Sequence, residues 1–543
     1  MLKKNDELTV SIERFGGEMG IAHQEGMTLF VEGALPGETV RARAQRVEKT
    51  HAFLKTLAVL SPAPGRAVPP CPYYEKCGGC VCQHMAYPLS LEMKRARVQD
   101  ALSRLGGLDI VVPPVMGMEN PWHYRNKTAL PVAGQKGAPQ IGFFAPRSHR
   151  IINIDQCLIA KEESNAVLKI LRLWMQKFAI PPYDEASRQG LIRHCVSRVS
   201  RAGQVMAVIV ATRDTLPHER ELTAMLLAGV PGLCSLYLNV NKRGDNVILG
   251  PENRLLYGAP RLEDTLCGLH FSLSPLSFFQ INPVQTEKLY QLAFDFAALT
   301  GQETVADLYC GAGTISLMLA KAAKRVIGIE IVPQAIEDAR ENARSNGVEN
   351  VSFHAAAAEA LLPQLVAQGL RPDVVVLDPP RKGCEEPVLS AIAQAAPQRV
   401  VYVSCDPATQ ARDAKLLCAY GYLPTRCQSV DMFCQTGHVE NVMVLSKLKE
   451  AKHIDIHVDM SELDVTKAEA ENNATYEKIK AYVQEHFGFK VSTLNIAQVK
   501  RKYGIIEREC YNKAKTEDAK QPGCPEEKAK AIVEALRFFG MIK

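Results

Sequence analysis

Long apolar runs are missing from this sequence. The longest are about the length of Val205–Ala211, far short of the roughly 20 residues that a membrane-spanning helix needs. The opening residues, Met1-Leu-Lys-Lys-Asn-Asp-Glu7, lack the apolar core of a secretory signal. No repeat of fixed period is present, and the net charge is only +5 in 543 residues. These absences exclude a membrane-spanning helical protein, a collagen, a coiled coil and a largely disordered chain. What is present is ordinary for a soluble globular protein: 47% hydrophobic and 23% charged residues. The length exceeds what one core organises, so three or four domains are expected. Sixteen cysteines without an export signal suit a reducing compartment, where thiols act as metal ligands, nucleophiles or packing groups. The expected class is a cytoplasmic multidomain protein.

The charge is unevenly placed. Residues 61–160 carry 11 basic against 6 acidic side chains, which is the whole excess. A basic surface on a near-neutral chain suits a nucleic acid partner. Upstream, Leu8–Ile12, Thr28–Val31, Thr39–Arg43 and Phe53–Leu60 are short alternating runs broken by glycine, the pattern of a small β-barrel with Arg41 and Arg43 on one face. Ser61-Pro-Ala-Pro-Gly65 and Pro69-Pro70 mark a stiff linker. The spacing of Leu91, Val98, Leu102 and Leu105 predicts an amphipathic helix over Leu89–Leu105, stopped by Gly106-Gly107 and carrying Lys94, Arg95, Arg97 and Arg104.

Residues 110–280 look mainly β, with hairpins predicted for His194–Val199 with Val205–Ala211 and for Leu236–Val240 with Val247–Leu249 around Gly244. From about 283 the pattern becomes helix–strand alternation. Thr304–Leu308, Arg325–Glu330, Asp373–Asp378 and Arg399–Ser404 are short continuous apolar strands, which predicts a buried parallel sheet in a doubly wound α/β domain. Residues 450–474 read as a polar linker. Tyr476–Phe487, Leu494–Tyr503 and Glu526–Phe539 read as a small helical module.

The chemistry concentrates at strand ends. Asp307-Leu-Tyr-Cys-Gly-Ala-Gly-Thr314 follows a strand and opens a helix, with glycines that allow close backbone approach to a ligand. Ser316 stands where a dinucleotide fingerprint has its third glycine, which argues for an adenosyl ligand rather than a pyrophosphate. Glu330 ends the next strand, where an acid can accept from both ribose hydroxyls. Asp378-Pro-Pro-Arg381 follows a third strand; Arg381 occupies the place of the aromatic residue that amino-group methyltransferases often carry. Cys405, at the end of a fourth strand, is a candidate nucleophile, and Glu440 a candidate base. Separately, Cys71, Cys77 and Cys80 lie within ten residues beside Gly78-Gly79, with Cys82 as an extra thiol. Arg125-Asn126-Lys127 either binds phosphate, orders an RNA loop or is solvated charge, and Lys500-Arg-Lys502 is an RNA surface or a charged helix face.

Five motifs occur in order: Ser277-Phe-Phe-Gln-Ile-Asn282, Asp307–Gly313, Asp378-Pro-Pro-Arg-Lys-Gly383, Ser404-Cys-Asp-Pro-Ala-Thr409 and Thr436-Gly-His-Val-Glu440. Together they resemble the S-adenosylmethionine-dependent RNA uracil-5-methyltransferases, over about residues 5–447. The cysteine motif Cys71–Cys80 resembles that of the ribosomal RNA branch, and Cys157 matches its distant fourth ligand. The resemblance implies that Gln280, Tyr309, Glu330 and Asp378 contact S-adenosylmethionine, that Cys405 is the nucleophile and that Glu440 accepts the proton. Four thiolates suit either tetrahedral zinc or a [4Fe–4S] cluster; the resemblance implies the cluster, on Cys71, Cys77, Cys80 and Cys157.

The expected architecture is a TRAM-type (OB-like) β-barrel over 1–62, a β-rich central region over 63–280, a Rossmann-like methyltransferase domain over 281–448, a linker over 449–474 and a helical module over 475–543. The expected activity is methylation of carbon 5 of a uridine, with large-subunit ribosomal RNA as partner and no obligate protein partner. Transfer RNA methylation is the rival within the same chemistry. A non-catalytic RNA-binding or folding factor is the rival outside it, disfavoured by the intact Cys405 and Glu440.

Overall fold

The computed structural model describes residues 2–448, 476–487, 489, 491–492, 495–496, 499–500 and 525–538. Two compact units emerge, Met1–Glu450 and Ala451–Lys543. The predicted linker lies outside the described residues, as does most of Leu494–Tyr503.

The chain begins with a six-stranded sheet: β1 (Glu7–Ser11), β2 (Arg14–Gly16), β3 (Met19–Gln24), β4 (Met27–Glu32), β5 (Thr39–Val47) and β6 (His51–Ser61). Its order is β1-β5-β6-β4-β3-β2. Strict alternation shapes β5: Val40, Ala42 and Ala44 are buried while Arg41 and Arg43 face outward together.

The predicted helix starts earlier and ends differently. It spans Tyr87–Asp100, with Pro88 in the first turn, and continues as a π-helical turn over Ala101–Leu105. Gly106 is required where it stands, because a Cβ there would lie 2.7 Å from the Leu102 carbonyl oxygen and 3.2 Å from that of Ala411. Lys94 is not a surface charge. It is fully buried, paired with the equally buried Asp431, and donates to the Phe433 carbonyl at 3.1 Å. Tyr87 Oη donates to the other Asp431 oxygen at 2.7 Å. A buried ion pair of this kind holds its two elements together, since removing either partner strands a desolvated charge.

A seven-stranded sheet follows: β7 (Lys127–Gln135), β8 (Ala138–Phe144), β9 (Ile151–Asn153), β10 (Ile192–Val199), β11 (Val205–Ala211), β12 (Leu233–Val240) and β13 (Glu252–Gly258), in the order β13-β12-β11-β10-β7-β8-β9. The β10–β11 hairpin is as predicted. The second predicted hairpin is not formed with Val247–Leu249; β12 pairs with β13 instead. The reason is side-chain competition for backbone groups. Asn241 Nδ2 donates to the carbonyls of Val247 and Ile248, and Asn239 exchanges hydrogen bonds with Gly250, so the segment is held as a loop.

The apolar run of β11 is divided between two cores. Val205, Ala207, Ile209 and Ala211 pack with Trp174 and Leu171 of the helix Glu162–Lys177. Met206, Val208 and Val210 face the other way, toward the ribbon β14 (Leu262–Leu266) and β15 (Leu269–Leu273) and the helix Pro283–Ala297. Such two-sided burial is why the strand carries no polar residue.

The last sheet comprises β16 (Thr304–Leu308), β17 (Arg325–Glu330), β18 (Val351–Ala355), β19 (Val374–Leu377), β20 (Arg399–Ser404), β21 (Tyr422–Val430) and β22 (Glu440–Lys447). Its order is β18-β17-β16-β19-β20-β22-β21. The first five strands are parallel, and β22 runs antiparallel beside β20. Strand order reverses at β16, with β17 and β18 on one side and β19 and β20 on the other, so a crevice opens where β16 and β19 end. In the second unit, the helices Tyr476–Phe487 and Glu526–Phe538 share a core that includes Ile479, Val483, Ile532 and Leu536.

Candidate active site

The turn after β16 is built to admit a ligand. Tyr309, Gly311 and Gly313 all have positive φ. A Cβ on Gly311 would meet nothing within 4 Å, whereas one on Gly313 would strike Phe353. The outer glycine therefore leaves room for a bound group and the inner one lets the helix pack. Glu330, ending β17, is fixed by the N–H groups of Gly311 (3.2 Å) and Val332 (3.0 Å). Its remaining lone pairs suit two ribose hydroxyls. Ser316 is fully buried and donates to Asp307 Oδ2, while Asp307 Oδ1 has no partner. Burial pushes the Asp307 carboxyl up to about 7. A serine thus takes the third glycine's place to support the acid that begins the turn. These features fit an adenosyl ligand.

Gln280 lies on the segment before the helix Pro283–Ala297. Its carbonyl accepts from Asn126 Nδ2 at 3.0 Å, and its side chain reaches Tyr290. Tyr290 Oη also meets Thr314 Oγ1 at 3.1 Å and feels the charge of Asp378. Tyr290 therefore links three of the predicted motifs. Sequence patterns missed it, because a tyrosine on a helix face carries no signal of its partners.

Cys405, Asp378 and Glu440 come together at the carboxyl edge of the sheet. Asp378 follows β19 and Cys405 follows β20. Glu440 begins the antiparallel β22, whose register sets Asn441 opposite Ser404. Asp406 caps the next helix by accepting from Ala408 and Thr409 N–H groups, which fixes the backbone beside Cys405. Burial, the Glu440 carboxyl and Asp378 raise the Cys405 thiol to about 11, while Arg381 opposes them. Burial and Asp378 raise Glu440 to about 8, again opposed by Arg381. Burial alone raises Asp378 to about 7. Arg381 is thus the cation shared by Cys405 and Glu440, a role its position in the Asp378-Pro-Pro-Arg381 run did not disclose. It also lies 3.3 Å from His438 Nε2, and burial followed by the Arg381 charge lowers that imidazole to about 4.

The loop before Glu440 is clamped from outside the catalytic sheet. Val81 and Cys82 N–H groups both donate to the Gln435 carbonyl, and Arg97 donates to that of Gly437 at 2.7 Å. A Cβ on Gly437 would collide with the Glu18 carboxylate of the N-terminal sheet. Glu440 is therefore positioned by residues far from it in sequence.

Cys71, Cys77, Cys80 and Cys157 line one cavity of about 40 Å³, together with Tyr73, Gln83 and Arg125. Burial pushes up the Cys80 thiol, to about 12, and those of Cys77 and Cys157, and the cysteines add to one another's rise. A cationic centre would reverse that repulsion, so the donors suit a cluster. Among the described residues no group of three or more His, Cys, Asp or Glu side chains is arranged to hold a metal ion. In a [4Fe–4S] cluster each thiolate binds a different iron, so the ligands need not converge on one point. Cys82 is separate: it is buried among Phe15, Leu35, Met85 and Met93.

The direction of the Cys405 shift is open to test. With its pKa above the usual thiol value, the group is neutral at pH 7. Alkylation of Cys405 by iodoacetamide, followed by peptide mass spectrometry, is expected to accelerate up to about pH 11. Arg381→Gln removes the opposing cation and is expected to move that profile further up. A plateau below pH 9 would contradict this electrostatic picture.

Comparison with known proteins agrees with this geometry. The tRNA (uracil-5-)-methyltransferase family model matches residues 264–448. A Clostridium tetani protein named an uncharacterized RNA methyltransferase is 46% identical over 454 residues, covering 83% of this chain and 98% of its own. A Halalkalibacterium halodurans protein of the same description is 44% identical, over 82% of this chain and 98% of its own. The tRNA (uracil-54, C5)-methyltransferase of Pyrococcus abyssi, solved in complex with S-adenosyl-L-homocysteine, superposes with a TM-score of 0.66 at 26% identity, over 81% of this chain and all of that one. No helix among the described residues is long and apolar enough to cross a membrane. With near-complete coverage of such relatives, the chain belongs to the tRNA (uracil-5-)-methyltransferase family and is an S-adenosylmethionine-dependent RNA methyltransferase.

Proposed function

We propose that the protein methylates carbon 5 of a uridine in large-subunit ribosomal RNA through a covalent Cys405 adduct. The observation that carries this reading is the grouping of Cys405, Glu440, Asp378 and Arg381 at one sheet edge. Carbon 5 of uracil is too weak a nucleophile to take a methyl group unaided. The Cys405 thiolate adds to carbon 6, and the electron pair moves through the ring to make carbon 5 nucleophilic. S-adenosylmethionine, held by Gln280, Tyr309, Glu330 and Asp378, supplies an electrophilic methyl. Glu440 then takes the proton left on carbon 5, and elimination returns the sulfur of Cys405. A uracil in structured RNA leaves its stack to reach this partly buried thiol.

Arg381 fits the first step, since a cation beside Cys405 favours the thiolate against burial and the neighbouring acids. The raised Glu440 suits the last step, because a base whose pKa lies near the working pH is both available and strong enough. The N-terminal sheet is read as a TRAM-type domain that holds RNA. Cys71, Cys77, Cys80 and Cys157 are read as ligands of a [4Fe–4S] cluster, which favours ribosomal RNA because the motif resembles that branch. Transfer RNA is the second reading, favoured by the likeness to the Pyrococcus abyssi enzyme.

Four measurements test these assignments. With RNA containing 5-fluorouracil, a stable protein–RNA adduct is expected, because fluorine cannot leave as a proton; Cys405→Ser should abolish it. With ordinary RNA, Glu440→Gln should trap the methylated adduct, and normal turnover by that variant would remove Glu440 from the role of base. Mapping 5-methyluridine in cells with and without the protein should show the loss in ribosomal RNA; a loss confined to transfer RNA would select the second reading. Anaerobically purified protein should carry about four iron and four sulfide per chain, and replacing Cys71 or Cys157 should remove them. Stoichiometric zinc without iron would overturn the cluster assignment.

A further inference from the structure

Lys127 and Arg198 are direct cross-strand partners in the β7–β10 ladder. Partners of this kind place their side chains on one face of a sheet, and like charges so placed are destabilising. Arg125, two residues before Lys127, adds a third positive charge, and the charges acting on the Lys127 ammonium are those of Arg198 and Arg125 alone. No carboxylate compensates them. Arg125 Nε donates to the Lys127 carbonyl at 3.0 Å, and Arg198 donates to the carbonyl of Ser277. Arg198 is only 4% exposed, and its Nε has no hydrogen-bond partner among the described residues. A folded chain that gathers two further cations around a half-buried lysine bears a cost that an anion would relieve.

The position of the group narrows the anion. Arg125 lines the cavity of the four cysteines. Asn126, between the two partly exposed members, binds Ile281 through its backbone N–H and Gln280 through its side chain. The cations thus run from the cysteine cavity to the segment that enters the catalytic sheet. An amino acid carboxylate brings its own ammonium, for which three cations offer no counterpart. A phosphodiester brings negative charge alone and repeats it along a strand.

We propose that Arg125, Lys127 and Arg198 form a binding site for a backbone phosphate of the substrate RNA. The inference rests on the reading of the protein as an RNA uracil methyltransferase. Arg125 and Lys127, being partly exposed, touch the phosphate, and Arg198 behind them holds Ser277 and adds its charge. The site thereby ties the position of the RNA strand to the segment carrying Gln280.

Binding of a fluorescent oligouridylate of about 20 nucleotides, followed by anisotropy over a salt series, tests the site on the full-length protein. Arg125→Gln and Lys127→Gln should each weaken binding about 5- to 10-fold near 0.1 M salt and reduce the slope of log K against log salt by about 0.7. Lys127→Arg should preserve both affinity and slope. Affinity for S-adenosylhomocysteine, measured by calorimetry, should stay within about twofold in all three variants. The glutamine variants should melt no lower than the parent protein, because each removes a like charge. Unchanged RNA affinity and slope would overturn the proposal. So would equal losses in Lys127→Arg and Lys127→Gln, which would mean packing rather than charge. A selective loss of S-adenosylhomocysteine affinity would assign the cations to the cofactor carboxylate instead. A parent protein that neither binds nor methylates RNA would overturn the functional reading itself, whereas a parent that methylates RNA alongside equally active variants would overturn only this site.

Discussion

The direction of one strand governs the catalytic edge. Strands β16 to β20 run parallel, so the residues that follow them gather on a single side of the sheet. A seventh strand running the same way as its neighbours would have placed its first residue at the opposite end. Because β22 is antiparallel, its first residue, Glu440, arrives where Asp378 and Cys405 already stand. The hydrogen-bond ladder with β20 then fixes the acid by register rather than by a flexible loop. Two carboxyls and a thiol are thereby brought to one place on the sheet edge, where the pKa of each is raised.

That grouping shifts how the site titrates. Burial raises the pKa of both carboxyls and of the thiol, and the Arg381 guanidinium opposes the rise at Cys405 and Glu440. The arrangement also separates two demands that conflict in one residue. In the proposed mechanism Cys405 becomes an anion early and Glu440 holds a proton late, and a shared cation eases the first while burial eases the second.

Much of this was legible in the sequence, and the exceptions have physical causes. Thr304–Leu308, Arg325–Glu330 and Arg399–Ser404 were found with their observed bounds, because strands buried on both faces must be continuous apolar runs. The glycine turn, Glu330, Asp378 and Cys405 stood out because each directly follows or ends such a strand. Val247–Leu249 was misread as a strand because the amides of Asn239 and Asn241, which hold that loop, act several residues away. Lys94 looked like a solvent-facing charge since its partner, Asp431, is 337 positions distant. Tyr290 and the shared role of Arg381 were invisible for the same reason: their meaning lies in what the fold brings to them.

The alternating allegiance of β11 has a consequence for how this chain can be divided. Its odd-numbered residues belong to one core and its even-numbered residues to another, and the second core extends through the ribbon and the helix Pro283–Ala297 into the methyltransferase sheet. The strand is a party wall. A catalytic domain cut away at residue 280 would carry off the floor on which Met206, Val208 and Val210 rest, and would itself face water with Leu289, Ala293 and Phe296. The central sheet and the catalytic sheet are therefore neighbours that cannot be rehoused separately, and a change of substrate in such a protein has to be made on its surface loops and side chains rather than by exchanging one whole half for another.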